Sequence, residues 1–134
     1  MHIIGHGIDA IDVERIRQSI ASHGERFLER VFTSGERAYA AGSRRRDEHL
    51  AARFAAKEAV FKALGTGWAQ GVSWTDVEVV LRPSGQPEVR LHGKAAEVAY
   101  QLGIQEWALS LTHTGALAFA SAIALGEVAD PGSA

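Results

Sequence analysis

The 134-residue chain contains no cysteine, which excludes disulfide bonds, thiolate metal sites and thiol chemistry. Any bound metal must therefore be held by oxygen or imidazole ligands. The chain also lacks an apolar run near the roughly 18 to 20 residues needed to cross a bilayer. Its N-terminus shows no basic start, apolar stretch and small-residue cleavage site typical of a secretory leader. We therefore expect a cytoplasmic protein.

Neither sign of charge dominates, because the net charge is only −2. The basic residues are concentrated in residues 1–62, which hold 11 of the 14 Lys and Arg, while residues 63–134 are net acidic. This imbalance is too weak for a general nucleic-acid binder, but it allows a local basic face for phosphates or an acidic protein. We expect no nucleic-acid or membrane partner. The composition predicts one globular domain over residues 1–126, followed by a disordered tail over residues 127–134.

The first third of the chain reads as a strand followed by three short helices. Residues 2–8 are mostly apolar and β-branched, which predicts a strand that ends at Asp9 and whose two glycines allow a close approach of backbone or ligand. Asp12 can cap the first helix, and Thr33 with Glu36 resembles a capping box at the start of the third. The helical spacing is carried by Val13, Ile16 and Ile20 in the first helix and by Phe27, Leu28 and Val31 in the second.

The longest helix is predicted over residues 47–64, where Leu50, Phe54, Phe61 and Leu64 form one apolar stripe. Gly65 follows it in the manner of a C-cap. The remaining elements are predicted as strands over 72–81 and 88–92 of a hairpin, a helix over 93–102, and strands over 107–111 and 117–123. This order of elements predicts an α+β fold.

One flank of the long helix combines small residues with charged ones. At about 100° per residue, Ala51, Ala55, Glu58 and Lys62 share this flank, and the alanines are expected to open a groove. An ordinary ion pair on a solvated surface is the alternative for Glu58 and Lys62. Lys57, however, lies in the apolar stripe, where its ammonium needs a phosphate, a carboxylate or a route to solvent. This set of charges suits an anionic ligand held with a divalent cation.

Asp9 is the natural second carboxylate for such a cation. Mg²⁺ accepts two carboxylate oxygens from different elements when a substrate pyrophosphate and waters complete its octahedron. Asp9 could instead cap a turn, although Asp12 is the better candidate for a cap.

Four segments of the chain follow a known pattern in the right order. They are Gly7-Ile8-Asp9 with Val13-Glu14-Arg15-Ile16, Arg53-Phe54-Ala55-Ala56-Lys57-Glu58-Ala59, Lys62-Ala63-Leu64-Gly65-Thr66-Gly67, and Ser110-Leu111-Thr112-His113-Thr114. From about residue 3 to 125, the chain resembles the bacterial holo-acyl-carrier-protein synthases, which are short 4′-phosphopantetheinyl transferases. The resemblance implies their α+β fold, in which antiparallel strands pack on a long central helix, and a homotrimer with each active site between subunits.

The resemblance also implies an activity and its residues. The 4′-phosphopantetheine group of coenzyme A would pass to a serine of apo-acyl carrier protein in a Mg²⁺-dependent reaction, giving holo-acyl carrier protein and adenosine 3′,5′-bisphosphate. Asp9 and Glu58 would bind the metal and, with Lys62, form the catalytic set. The residues implied to bind coenzyme A are Arg45, Arg53, Lys57, Lys62, Gly65, His113 and Thr114. Arg15 and Arg26 would dock the carrier protein.

Other interpretations stay open at this point. A noncatalytic coenzyme A or nucleotide-binding module would need the basic groups but no acidic metal pair. His113 could be a satisfied surface histidine, the arginines at 44–46 a solvated loop, and Arg15 and Arg26 solvated charges. Three tryptophans are expected in the core or at an interface rather than stacking on a base. They are Trp68, Trp74 and Trp107.

Overall fold

A computed structural model describes residues 1–67 and 71–127 of the chain. The predicted tail therefore lies almost entirely outside the described residues, as does Trp68. The first part of the chain forms β1 (His2–Asp12), α1 (Val13–His23), α2 (Glu25–Val31), α3 (Ser34–Ala40) and the long α4 (Arg46–Leu64). The second part forms a single 3₁₀ turn (Trp74–Asp76), β2 (Val77–Leu81), β3 (Pro87–Leu91), α5 (Gly93–Gln101), β4 (Ile104–His113) and β5 (Leu117–Gly126). The predicted α+β order is confirmed.

The strands form two antiparallel sheets. In the larger sheet β5 lies between β1 and β4, and β2 pairs with β3 in a separate hairpin. Side chains alternate between the two faces of the larger sheet, so that Gly7 is buried while its neighbour Ile8 is 63% exposed. Gly7 pairs with Ala122 and Asp9 with Ala120, whose side chains are buried. Asp9 consequently lies on the buried, helix-facing side of β1.

Helix α4 packs closely on this sheet because the residues at the contact are small. A Cβ atom on Gly7 would lie 1.8 Å from the carbonyl oxygen of Ala59, and one on Gly5 would lie 2.1 Å from that of Ala63. The close approach predicted for these glycines is therefore confirmed. Ala51 and Ala55 are fully buried. The groove predicted beside them is wrong, because the alanines are packed inside the protein.

Two of the predicted tryptophans lie in or against the core around α4. Trp74 is only 9% exposed, and its ring centroid lies 4.7 Å from that of Phe54. Trp107 is half-buried and packs against the same core. Core positions for Trp74 and Trp107 are thus confirmed. Within the described residues, no helix has the length and apolar character needed to span a membrane.

Several predicted boundaries need correction. Strand β1 continues past Asp9 to Asp12, because its pairing with β5 continues to Leu117. Asp12 occupies the N-cap position of α1, but its side chain makes no capping hydrogen bond. The strand predicted over 72–81 begins only at residue 77, because Ser73 and Asp76 close a capped 3₁₀ turn. The strands predicted over 107–111 and 117–123 are both longer, with ten residues each.

The capping box predicted at the start of α3 is confirmed. The backbone N–H of Glu36 donates to the Thr33 hydroxyl at 3.2 Å, and the Glu36 carboxylate accepts from the Thr33 N–H at 2.9 Å. Gly65 ends α4 in the left-handed conformation with φ 77°, as its sequence position predicted.

Candidate functional site

The first group of polar side chains lies where β1 passes the C-terminal half of α4. Lys62 Nζ donates to Asp9 Oδ1 at 3.0 Å and to the carbonyl oxygen of Ile8 at 2.9 Å. The Lys62 side chain is 52% exposed, whereas that of Asp9 is 19% exposed. A half-exposed ion pair of this kind contributes little to stability. The ammonium is therefore free to exchange Asp9 for an incoming anion at low cost.

Glu58 belongs to the same group. Burial raises the pKa of the Glu58 carboxyl, the negative charge of Asp9 raises it further, and Lys62 and Arg15 oppose these effects. The structure thus brings Asp9, Glu58 and Lys62 together, as the helix flank and the β1 position predicted. Asp9 does so from inside a strand rather than from a strand end, because the alternation of β1 directs its side chain toward α4.

The pair Asp9 and Glu58 fits a divalent cation that takes its remaining ligands from elsewhere. Within residues 1–67 and 71–127, no cluster of three or more His, Asp and Glu side chains could hold a metal alone. However, Mg²⁺ is commonly bound by one or two protein carboxylates, and substrate phosphates and water molecules supply its other ligands. Burial and the charge of Asp9 both disfavour the charged form of Glu58 and raise its pKa, and Lys62 and Arg15 offset these two effects only in part. A cation bound by both carboxylates would favour their charged forms.

A second group surrounds the N-terminal end of α4 and the end of β4. Arg45, Glu48, His113 and Thr114, together with Gly115, line a groove of about 350 Å³. His113 Nδ1 lies 3.2 Å from Glu48 Oε2. Thr114 accepts the backbone N–H groups of Ala116 and Leu117 on its hydroxyl, which closes the β4–β5 turn. Three residues that the family resemblance implies for coenzyme A therefore share one groove.

Arg53 extends this second group toward α3. Its guanidinium carbon lies 4.3 Å from the centroid of the Tyr39 ring, and Nη1 donates to the carbonyl oxygen of His49 at 3.3 Å. Burial lowers the pKa of Arg53. The His49 ring meets Tyr39 and His113 edge-on, at centroid distances of 5.5 and 5.6 Å. Sequence reasoning missed Tyr39, Glu48 and His49, because their periodicity does not distinguish them from other half-exposed helix residues.

Lys57 does not line either group, and the predicted contact with coenzyme A is corrected here. The side chain is 0% exposed, and Nζ lies 2.7 Å from Glu36 Oε1. Nζ also donates to the carbonyl oxygens of Trp74, at 3.2 Å, and Val77. Burial lowers the pKa of Lys57, and Glu36 opposes that shift. A lysine in the apolar stripe was expected to need a phosphate, a carboxylate or a route to solvent. The structure provides a carboxylate, that of Glu36.

The two groups of polar side chains are well separated within one chain. Glu48 and Glu58 are ten residues apart on α4, which corresponds to about 15 Å at 1.5 Å per residue. Lys62 lies one further turn away. A ligand that contacts His113 and Lys62 in the same chain would have to run along most of the helix.

Basic residues of α1 and α2 border an apolar groove of about 260 Å³. Arg15 and Arg30 line it with Ile16, Phe27 and Phe54. Arg26 lines an adjoining depression together with Phe27 and Arg30. Arg17, by contrast, pairs with Glu14 and with Asp47. The two arginines predicted to dock a carrier protein therefore border neighbouring parts of one surface.

Comparison with known proteins identifies the family of the chain. Residues 5–120 match the model of the 4′-phosphopantetheinyl transferase superfamily, and the chain belongs to that superfamily. It is 49% identical over 121 residues to the holo-[acyl-carrier-protein] synthase of Solibacter usitatus, which covers 90% of this chain and 97% of the relative. These matches make the chain an enzyme of the holo-[acyl-carrier-protein] synthase family.

Solved structures of the family share the fold. The holo-[acyl-carrier-protein] synthase of Neisseria meningitidis superposes with a TM-score of 0.85 at 29% identity, covering 92% of this chain and 99% of that one. The enzyme from Bacillus anthracis superposes with a TM-score of 0.76 at 35% identity, covering 93% and 98%. The Bacillus anthracis structure is a complex with coenzyme A (3′,5′-ADP).

Proposed function

We propose that the protein transfers the 4′-phosphopantetheine group of coenzyme A to a serine of apo-acyl carrier protein and releases adenosine 3′,5′-bisphosphate. The observation that carries this proposal is the meeting of Asp9, Glu58 and Lys62 at the β1–α4 contact. A noncatalytic coenzyme A-binding module would need the basic groups but not the acidic pair. We also propose a cytoplasmic location, where both substrates would be available.

The residues of the chain divide the work of phosphoryl transfer. Asp9 and Glu58 would hold Mg²⁺, which neutralises the charge of the pyrophosphate when it is bound. Lys62 would turn from Asp9 to a phosphate oxygen and stabilise the charge that develops on the leaving 3′,5′-ADP. The serine oxygen attacks the phosphorus that carries the pantetheine arm, and the phosphorus–oxygen bond to the leaving phosphate breaks. Glu58 receives the serine proton, either directly or through a water molecule.

A mass measurement on the carrier protein tests the function. Apo-acyl carrier protein incubated with coenzyme A, Mg²⁺ and the enzyme should gain about 340 Da, the mass of the phosphopantetheine arm, as phosphoryl transfer requires. A carrier protein whose acceptor serine is replaced by alanine should gain nothing. Binding of coenzyme A without any gain in mass on the serine-containing carrier would support the binding-module alternative instead.

We propose that the active protein is a homotrimer with sites between subunits. The outer face of the larger sheet carries exposed apolar residues, with Ile8 at 63% and Phe119 at 37% exposure. Such a face is more apolar than a free surface needs. In addition, the His113 groove and the Asp9–Glu58–Lys62 group of one chain are kept apart by about 15 Å along α4. In a trimer, the His113 groove of a neighbouring subunit could lie beside the Asp9–Glu58–Lys62 group.

Phe119→Asp should dissociate the trimer and abolish most of the transfer activity, because it introduces a charge into the proposed interface. Sedimentation would report the loss of the trimer. Tyr100→Asp is the matched control, since Tyr100 is 86% exposed on α5 and lies away from this face. A wild-type protein that sediments as an active monomer would contradict both the assembly and the shared site.

We propose that the surface bordered by Arg15 and Arg26 docks the acidic carrier protein. Arg26→Glu should raise the KM for the carrier protein about tenfold, leave the KM for coenzyme A nearly unchanged and weaken the salt dependence of association. Arg26 is a cleaner test than Arg15, because the charge of Arg15 also acts on Glu58. Arg90→Glu on β3 provides a control at an exposed arginine elsewhere. Equal effects on the two substrates would place the docking surface elsewhere.

A further inference from the structure

The contact between Glu48 and His113 joins two distant parts of the chain at the groove of the second group. Glu48 lies in the first turn of α4, and His113 is the last residue of β4. Their side chains are each 22% exposed, and His113 Nδ1 lies 3.2 Å from Glu48 Oε2. Within the described residues, Glu48 is the ion-pair partner of the His113 ring. The Nε2 atom is left for a ligand.

This contact decides which hydrogen atoms the imidazole carries. A carboxylate only accepts hydrogen bonds, so Nδ1 must hold a proton when it faces Glu48. A phosphate oxygen also only accepts, so Nε2 must hold a proton when it contacts one. The ring that binds a phosphate is therefore an imidazolium, and the Glu48 carboxylate stabilises its positive charge. Without Glu48, the Nε2–H tautomer of a neutral ring and other ring orientations would become available.

We infer that Glu48 is a positioning residue for coenzyme A binding: it holds His113 with Nδ1 protonated, so that the Nε2–H group of the imidazolium is presented to an anionic oxygen of the ligand. This inference rests on the proposed function only in taking coenzyme A as the ligand. The edge-on ring of His49 packs against His113 on another side and restricts the same ring. Arg45, which lines the same groove, supplies a second cation for the anion.

Glu48→Ala should weaken coenzyme A binding about tenfold, the size of one charge-assisted hydrogen bond, while kcat changes much less. Glu48→Gln should have a smaller effect, because its amide oxygen can still face the Nδ1–H group but carries no charge. Nitrogen-15 NMR of the imidazole in the unliganded protein should show Nδ1 protonated in the wild type. In Glu48→Ala the spectrum should shift toward the Nε2–H tautomer.

Asp47→Asn is the matched control. Asp47 shares the first turn of α4 and its acidic charge, but it pairs with Arg17 and Arg46 rather than with His113. This variant should lose some helix stability and leave coenzyme A affinity and the His113 spectrum unchanged. A second control is the His113→Asn background, in which Glu48→Ala should weaken binding no further.

Three results would overturn the inference. They are unchanged His113 nitrogen signals in Glu48→Ala, unchanged coenzyme A affinity in that variant, or an equal loss of affinity in the His113→Asn background. Affinity is measured by calorimetry with coenzyme A alone, so the result does not depend on transfer to a carrier protein. If the carrier gained no mass while these effects appeared, the transferase proposal would fail and the role of Glu48 would stand.

Discussion

Replacing either carboxylate of the acidic pair should reduce the rate of transfer by about two to three orders of magnitude, the usual cost of losing one preorganised electrostatic group. Asp9→Asn and Glu58→Gln keep the size of the side chains, so both variants should stay folded. Asp9 and Glu58 are half-buried residues at the edge of the core. The amides introduced by Asp9→Asn and Glu58→Gln therefore do not break a fully buried ion pair. The rate of holo-carrier formation at limiting Mg²⁺, measured beside a thermal melt, tests this expectation.

Asp12→Asn is the internal control for this prediction. Asp12 is exposed and makes no side-chain capping hydrogen bond, so its replacement should change neither activity nor stability appreciably. Near-normal turnover of Asp9→Asn at limiting Mg²⁺ would show that the metal assignment is wrong.

The pH dependence should report on Glu58. Because burial and Asp9 raise the pKa of Glu58, its carboxyl takes up a proton at a higher pH than an ordinary glutamate does. At limiting Mg²⁺, where protons compete with the cation for this carboxyl, the activity should therefore fall on the acid side earlier than for an unperturbed carboxylate, and this fall should be absent from the residual activity of Glu58→Gln.

Breaking the buried pair of Lys57 and Glu36 should destabilise the fold by about 3 to 5 kcal/mol. Lys57→Met would leave the Glu36 carboxylate buried without its cation. Glu36→Gln would leave the ammonium of Lys57 in the same position. Glu36 also accepts the backbone N–H groups of Thr33 and Val79, so its contacts join α3, α4 and β2. Equilibrium unfolding in urea would measure the loss.

A double-mutant cycle separates the pair from its surroundings. The combined variant Glu36→Gln, Lys57→Met should lose much less than the sum of the two single losses, because no uncompensated charge remains. Arg82→Ala is the control. Arg82 Nε lies 2.8 Å from Glu88 Oε2 in a solvent-exposed ion pair, which should contribute less than about 1 kcal/mol to the free energy of unfolding. At a temperature where Lys57→Met is folded, its KM for coenzyme A should equal that of the wild type. A raised KM would restore Lys57 as a ligand contact.

The sequence by itself determined the features that depend on neighbouring residues. The capping box of Thr33 and Glu36, the extent of α4 and the left-handed Gly65 follow from spacings of a few residues, where local hydrogen bonds and side-chain sterics decide the backbone. The glycines of β1 predicted a close approach of another element. The helix flank that carries Glu58 and Lys62 also follows from the period of the helix.

The tertiary structure alone decided which residues meet across the chain. Periodicity shows that Lys57 lies in a buried stripe, but it does not identify the partner of the ammonium. From the sequence alone that partner could have been a bound phosphate, whereas in the structure it is Glu36, which is 21 residues away. Similarly, Glu48 meets His113 only because β4 ends beside the first turn of α4. A period specifies the face on which a side chain lies and not the residue that faces it, since that depends on how the sheet and the helix pack together.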